Sequence, residues 1–273
     1  MKKNAFQSFA AVPHSVWVVM FIVAPLLFVL AFAFRGADGG FSFANIAELS
    51  QYGNVFVLSI AFALIATVVC LLIGYPLAYF MSRQSPRTQR ILMVLVMLPM
   101  WCNLLIRTYA LMALLDNGGL LNSLLESWGL PKIPIVGTNF GVILGMVYDF
   151  LPYMVLPIFT AMTKLDQRYI EASHDLGCNG WQTMTRVVLP LTMSGVISGV
   201  TMVFVPSIST FYISQKLGGG QYLLVGDAIE SAFGNPNTYN VGAAMSLVLM
   251  VIVLICTAVM NHFGDGNDEE VLL

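Results

Sequence analysis

The sequence predicts an all-α membrane protein with six transmembrane helices, on the strength of its composition, its unbroken apolar segments and the one-sided placement of its basic residues. Of 273 residues, 58% are hydrophobic and 10% charged, and mean hydropathy is +0.82; a soluble domain averages about 25% charged residues. Apolar segments near residues 15–34, 55–81, 91–115, 140–163, 187–211 and 241–263 each supply the roughly 20 helical residues that cross about 30 Å of hydrocarbon. Their runs are continuous rather than alternating, which favours helices over barrel strands. No repeat, low-complexity linker or soluble domain interrupts them, so residues 1–273 read as a single transmembrane domain.

The first segment follows Lys2 and Lys3 and carries Ala31-Phe32-Ala33, a pattern resembling a signal cleavage site. Its apolar run exceeds the roughly 7–15 residues of a signal peptide, so it is expected to remain as a helix. With the N-terminus cytoplasmic, that side holds Lys2, Lys3, Arg83, Arg87, Arg90, Lys164, Arg168 and Arg186, against Arg35, Lys132 and Lys216 on the other. The positive-inside rule therefore puts both termini, including the acidic tail with Asp265, Asp268, Glu269 and Glu270, in the cytoplasm.

The connections differ in kind. The link between segments two and three, residues 82–89, is short and basic, suited to anionic headgroups. On the outer side, Leu120 to Trp128 and Tyr222 to Phe233 are expected as short amphipathic helices, serving either as landing places for an external partner or as caps on the bundle.

Between segments four and five lies a polar island, Asp166 to Pro190, placed in the cytoplasm by charge. Tyr169, Ala172 and Leu176 recur at helical spacing, and Glu171 and Asp175 share an exposed stripe. Gly177 then allows a turn, Asn179-Gly180 extends the break, and Pro190 stands near the start of the fifth helix.

Several function classes are disfavoured. A net charge of −2 argues against nucleic acid as a partner. Cys70, Cys102, Cys178 and Cys256 form no CxxC pair, and His14, His174 and His262 are dispersed, so no metal site is expected. No nucleophile with a plausible base shares one membrane face, so no catalytic residue is assigned and the chain reads as a non-enzyme. A G-x-x-x-x-G-K-[ST] phosphate loop is missing from the sequence.

The spacing Glu171-Ala172-Ser173, three residues, Gly177, nine residues, Val187-x-Leu189-Pro190 resembles the EAA loop of permease subunits from binding-protein-dependent ABC importers. Ser173 and Val187 depart from that pattern's second Ala and its Ile by small changes. The resemblance implies the MetI-like permease fold in a bacterial cytoplasmic membrane. It also implies that Glu171, Ala172, Ser173, Gly177, Leu189 and Pro190 couple the membrane helices to a separate ATPase, which carries ATP and Mg while this chain binds no cofactor. Met97 to Asn103, Leu105 to Tyr109, Val147 to Met154, Lys164 to Asp166, Leu189 to Gly195, Phe211 to Ser214 and Leu223 to Gly226 are similar to the spermidine/putrescine importer permeases of the PotB type. That likeness implies a second permease, two ATPase subunits and an extracytoplasmic polyamine-binding protein. Permeases for iron, sulfate or thiosulfate share the loop and stand as alternatives; an independent channel or secondary carrier would leave the loop unexplained.

A polyammonium cargo needs carboxylates and aromatic faces along a wet path, each cation–π contact contributing about 0.5–2 kcal/mol. Trp101, Asn103, Arg107, Tyr109, Tyr148, Asp149, Tyr153 and Tyr212 are the candidate path residues. Arg107 and Asp149 lie deep in segments three and four, where a charge costs at least about 2.5–3.5 kcal/mol. They are expected to face protein or water and are placed to pair. Two roles stay open for Asp149: attracting the cargo, or neutralising Arg107 to fix segment three against segment four. On one continuous helix Trp101 would point away from Asn103 and Arg107, leaving it a path residue or a packing residue.

Overall fold

The computed structural model describes residues 5–36 and 40–270; Lys2 and Lys3, used above for orientation, lie outside them. The helices, in chain order, are α1 (Ala5–Val18), α2 (Ala24–Ala33), α3 (Ala44–Glu48), α4 (Gly53–Ser82), α5 (Pro86–Met97), α6 (Leu104–Leu115), α7 (Leu120–Ser127) and α8 (Asn139–Lys164). There follow α9 (Gln167–Asp175), α10 (Gly180–Thr183), α11 (Leu189–Leu191), α12 (Met193–Ser209), α13 (Tyr212–Leu217), α14 (Val225–Phe233) and α15 (Tyr239–Glu270). Among the described residues, β structure is confined to one isolated bridge, Arg35 with Phe41.

Val12–Ala33, Ala44–Ser82, Leu104–Ser127, Asn139–Lys164 and Tyr239–Met260 are long and apolar enough to cross a membrane. Gly180–Leu191 with Met193–Ser209 forms a sixth such stretch, bent by 70°. The expected amphipathic outer helices are present as α7 and α14.

Two expected boundaries change. The third segment is not one helix over 91–115: α5 ends at Met97, Leu98–Trp101 forms a 3-10 turn, and Cys102 and Asn103 are extended before α6. Pro99 contributes to this because it has no N–H to continue the α-helical ladder, although Leu98 before it stays in the helical region at φ −54°, ψ −41°. Asn103 then caps the new helix, its Oδ1 accepting from Leu105 N at 2.8 Å. The fifth segment starts earlier than 187, at Gly180, and passes through a π turn over Met184–Val188 and the bend at Thr192 before α12 begins.

The chain packs as two compact units, one running up to Asn54 together with Ala228–Ile252, the other comprising Val55–Asp227 with the chain from Val253 onward. In the first, the end of α2 meets the start of α15 through fully buried Ala33, Ala243 and Ala244, whose small side chains allow close approach. Asn45 Nδ2 donates to the carbonyls of Ala33 and Arg35, at 3.0 and 2.9 Å, and Asn240 Nδ2 also reaches Arg35 O, at 3.1 Å.

In the second unit α8 is central, burying Met146, Met154, Val155 and Ile158 completely. It packs extensively on α12, which brings Gly195 and Gly199 onto it. A Cβ on Gly195 would lie 2.6 Å from Ala161 Cβ and 2.9 Å from Pro157 O, and one on Gly199 would lie 2.9 Å from Met154 Sδ. This is the small-x-x-x-small packing that membrane helices use where hydrophobic driving force is weak. On another face, a Cβ on Gly145 would overlap Leu217 Cδ1 and come within 2.8 Å of Ile213 Cγ2, so α13 is seated directly on α8. Pro152 and Pro157 both lie inside α8 without breaking it.

Candidate functional site

Two groups of expected functional residues assemble, both within the second unit. The first surrounds the intramembrane charges. Arg107 on α6 is 7% exposed, Asp149 on α8 is fully buried, and Arg107 Nε is in ion-pair contact with Asp149 Oδ1. The expected pair is therefore formed. Thr108 Oγ1 donates to Asp149 Oδ2 at 3.3 Å, and Arg107 Nη1 donates to Pro99 O at 3.1 Å. The guanidinium carbon also stands 5.9 Å from the centroid of the Tyr148 ring. Burial of such a pair is tolerable only where each charge gains further polar partners, which Thr108, Pro99 and Tyr148 provide.

Pro99 is expected from the sequence to loosen the third segment, but neither it nor Thr108 is expected as a partner of the pair. Pro99 carried a usable signal: a proline that ends a helix leaves nearby carbonyls without intrahelical donors, and a cation eight positions on can reach one. Thr108 carried none, since its hydroxyl also bonds its own helix at Leu104 O, 2.9 Å, as membrane threonines commonly do.

The remaining path candidates do not all join the pair. Trp101 is 73% exposed on the 3-10 turn, and the break at Cys102 removes the premise that it must point opposite Asn103 on one helix. Asn103 spends its side-chain oxygen on capping α6. Tyr153 is half-buried, with its ring 6.3 Å from that of Phe150. Tyr109 and Tyr212 come together instead with each other, edge to face at 5.7 Å between centroids.

The second group is the polar island. Asp166 caps α9, its Oδ1 accepting from Arg168 N at 3.0 Å. At the far end Gly177 adopts φ +81°. The Gly177 N–H bonds His174 O at 2.9 Å and the Cys178 N–H bonds Ser173 O at 3.0 Å, the two bonds of a Schellman motif. Asn179 and Gln182 then form a reciprocal capping box that starts α10. The break expected from Gly177 and Asn179-Gly180 is thus a stop signal followed at once by a start signal.

Within this island the six expected coupling residues divide. Glu171, Ala172 and Gly177 are exposed, beside Tyr169, Leu176 and Trp181, which are 55%, 86% and 76% exposed. Ser173 is turned inward and buried: its Oγ donates to Ile170 O at 2.7 Å and lies 2.9 Å from Thr183 Oγ1, joining α9 to α10. Leu189 and Pro190 stand in the short α11 at the bend, with Pro190 exposed.

Two contacts attach the island and the bend that follows it to α4 and the residue just after it. Arg83 Nη1 donates to Gln167 Oε1 at 2.6 Å, while its guanidinium covers the Tyr79 ring at 5.0 Å. The Tyr75 hydroxyl lies 3.1 Å from Thr192 Oγ1. Among the described residues no cluster of three or more His, Cys, Asp or Glu is placed to hold a metal.

Residues 72–266 match the family model described as binding-protein-dependent transport system inner membrane component. The chain is 40% identical over 260 residues to the spermidine/putrescine transport system permease protein PotB of Haemophilus influenzae, covering 92% of this chain and 91% of that protein. To the Escherichia coli protein of the same name it is 36% identical over 247 residues, covering 87% and 90%. The fold is similar to that of a chain in the crystal structure of a bacterial ABC transporter that imports the acidic polysaccharide alginate, with a TM-score of 0.75, 17% identity and coverage of 97% and 96%. It is equally similar, at TM-score 0.75 and 17% identity over 96% and 94%, to a chain of that transporter in complex with an alginate pentasaccharide-bound periplasmic protein.

Proposed function

Because the chain belongs to the family of binding-protein-dependent transport system inner membrane components, and is therefore a permease subunit of an ABC importer, we propose that it moves spermidine and putrescine inward across a bacterial cytoplasmic membrane. The observation that carries this reading is the 40% identity to a spermidine/putrescine permease over 92% of the chain, which spans the buried ion pair and the polar island alike. In the assembled importer it pairs with a second permease, receives cargo from an extracytoplasmic polyamine-binding protein and is driven by two ATPase subunits that hold ATP and Mg. Both termini face the cytoplasm, the orientation that the distribution of basic residues favours.

The polar island is the part that meets the ATPase. Glu171, Ala172 and Gly177, with the exposed rings of Tyr169 and Trp181, present a surface that an apolar groove rimmed by basic residues would accept. Ser173 acts one layer behind it, tying α9 to α10 so that the surface moves as a unit. Leu189 and Pro190 stand in the bend that leads into α12.

Trp101, Asn103, Arg107, Tyr109, Tyr148, Asp149, Tyr153 and Tyr212 line or support the path. In the present conformation Asp149 neutralises Arg107 and fixes α6 to α8. Opening of that pair would offer a carboxylate to an ammonium group while Tyr148 keeps a π face beside the guanidinium.

The decisive experiment is uptake of labelled spermidine and putrescine by the four-component complex in liposomes, with and without ATP. ATP-dependent accumulation of either amine supports the proposal. Accumulation of sulfate or iron without either amine would replace the cargo, and ATP-independent flux through this chain alone would replace the mechanism.

A further inference from the structure

Outside the ion pair and the polar island, one cluster already holds a ligand-like group. Tyr109 on α6 and Tyr212 on α13 set their rings edge to face, and Lys216 Nζ stands 5.2 Å from the first centroid and 5.7 Å from the second. One ammonium thus lies within the roughly 6 Å reach of two π faces at once. Both tyrosines keep accessible surface, Tyr109 being 46% exposed and Tyr212 half-buried.

The cluster is built rather than incidental. Residue 217, next to the lysine, is completely buried against Gly145 of α8, and its carbonyl accepts from Gly137 N at 2.7 Å. These contacts fix α13, and with it the Tyr212 ring, relative to α8, while α13 also packs on α6 beside Tyr109. Lys216 reaches the rings on a flexible four-carbon stem that can swing away without moving the backbone.

We propose that the Tyr109–Tyr212 pair is a subsite for a primary ammonium group of the cargo, and that Lys216 fills it as a tethered stand-in which the cargo displaces. The proposal rests on the polyamine reading above. Its physical basis is identity of the group: a primary ammonium at the end of an alkyl chain is what Lys216 presents and what spermidine and putrescine carry at both ends. An intramolecular competitor reduces the fraction of subsite open to cargo and so raises the apparent KM by the reciprocal of that fraction. It also keeps the aromatic faces covered by a cation when no cargo is present.

The consequence is a pair of opposite effects. In the four-component complex, Lys216→Met keeps the stem without the charge and should lower KM for spermidine by about three- to tenfold, the range expected when one competing cation–π contact is removed. Tyr109→Leu and Tyr212→Leu should each raise it by a similar factor. If Lys216→Met leaves KM unchanged, or raises it together with the tyrosine variants, the lysine is a strut and the proposal fails.

A second measurement does not depend on transport. In a Cys102→Ser background, Lys216→Cys places a thiol beside the rings, and its rate of modification by a cationic thiol reagent is followed in the assembled complex. Spermidine should slow that rate, and an unchanged rate at saturating spermidine would overturn the shared site. A wild-type complex that accumulates neither amine would remove the polyamine reading itself. Wild-type uptake with flat KM values across the variants would remove only this subsite.

Discussion

The hydroxyl of Tyr75 on α4 lies 3.1 Å from Thr192 Oγ1, at the point where the chain bends by 70° between the polar island and α12. Thr192 is fully buried and donates its own proton to Val188 O at 2.8 Å, so the phenol is left as the donor between the two oxygens. The bend is thereby referenced to a helix outside the island.

Removing that reference should loosen the bend without unfolding the chain. Tyr75→Phe deletes one partly buried hydrogen bond, costing about 0.5–1.5 kcal/mol. The expected result is a slightly lower thermal midpoint of the purified complex and more ATP hydrolysed per solute imported. Unchanged stoichiometry would mean that the contact serves packing alone.

Gly177 separates backbone strain from contact with a partner. Its φ of +81° disfavours any L side chain by roughly 1–2 kcal/mol, yet among the described residues, its two chain neighbours aside, nothing lies within 4 Å of where a Cβ would stand. Gly177→Ala should therefore reduce uptake modestly, whereas Gly177→Trp adds bulk that only an external surface can oppose. We expect the Trp variant, and likewise Glu171→Lys, to lose ATP-driven uptake while still inserting in the membrane. Equal losses in the Ala and Trp variants, measured with co-purification of the ATPase, would assign the effect to strain.

The Arg107–Asp149 pair should respond to single and double changes differently. Asp149→Asn leaves a buried guanidinium without its counter-charge, a loss of about 3–5 kcal/mol. The paired change Arg107→Met with Asp149→Leu should recover much of the folded yield, measured by detergent thermal shift. Transport then divides the two roles of Asp149: the exchange Arg107→Asp with Asp149→Arg restores uptake if the pair is structural, and a correctly assembled but inactive exchange indicates contact with cargo.

Gly195 offers a size-complementation test. A methyl there would meet Ala161 Cβ at 2.6 Å and Pro157 O at 2.9 Å. Overpacking of this kind costs about 1–3 kcal/mol. Gly195→Ala should lower the thermal midpoint, and adding Ala161→Gly should restore part of it, the remainder reflecting the carbonyl that cannot be trimmed. Absence of any rescue would show that the helices accommodate the methyl by moving apart.

Much of this architecture is legible in the sequence because it depends on local chemistry. The apolar runs, the turn at Gly177 and the two outer amphipathic helices follow from hydrophobicity and backbone preference in short windows. The charges of Arg107 and Asp149 announce each other because neither is tolerable alone in hydrocarbon.

What escapes is decided by orientation and by distant partners. Pro99 is compatible with a kink or a full break, and only the arrangement after it shows that Cys102 and Asn103 become extended. Ala172 and Ser173 look interchangeable as small residues, but the buried hydroxyl of Ser173 finds Thr183 and turns inward. Tyr109 and Tyr212 meet through the seating of α13 on α8, which Gly145 permits and no local pattern announces.

The glycine contacts of α12 on α8 have a mechanical consequence. Gly195 and Gly199 bring the two helices into direct contact, and close-packed surfaces pass displacement on rather than absorb it. A push delivered at the polar island and turned at Thr192 therefore cannot be taken up by α12 sliding freely. It is handed to α8, the same rod that carries Asp149. If the island is the docking surface of the ATPase, as proposed, the pair of helices would act as a clutch without slip, with that surface at one end and Asp149 on the driven shaft.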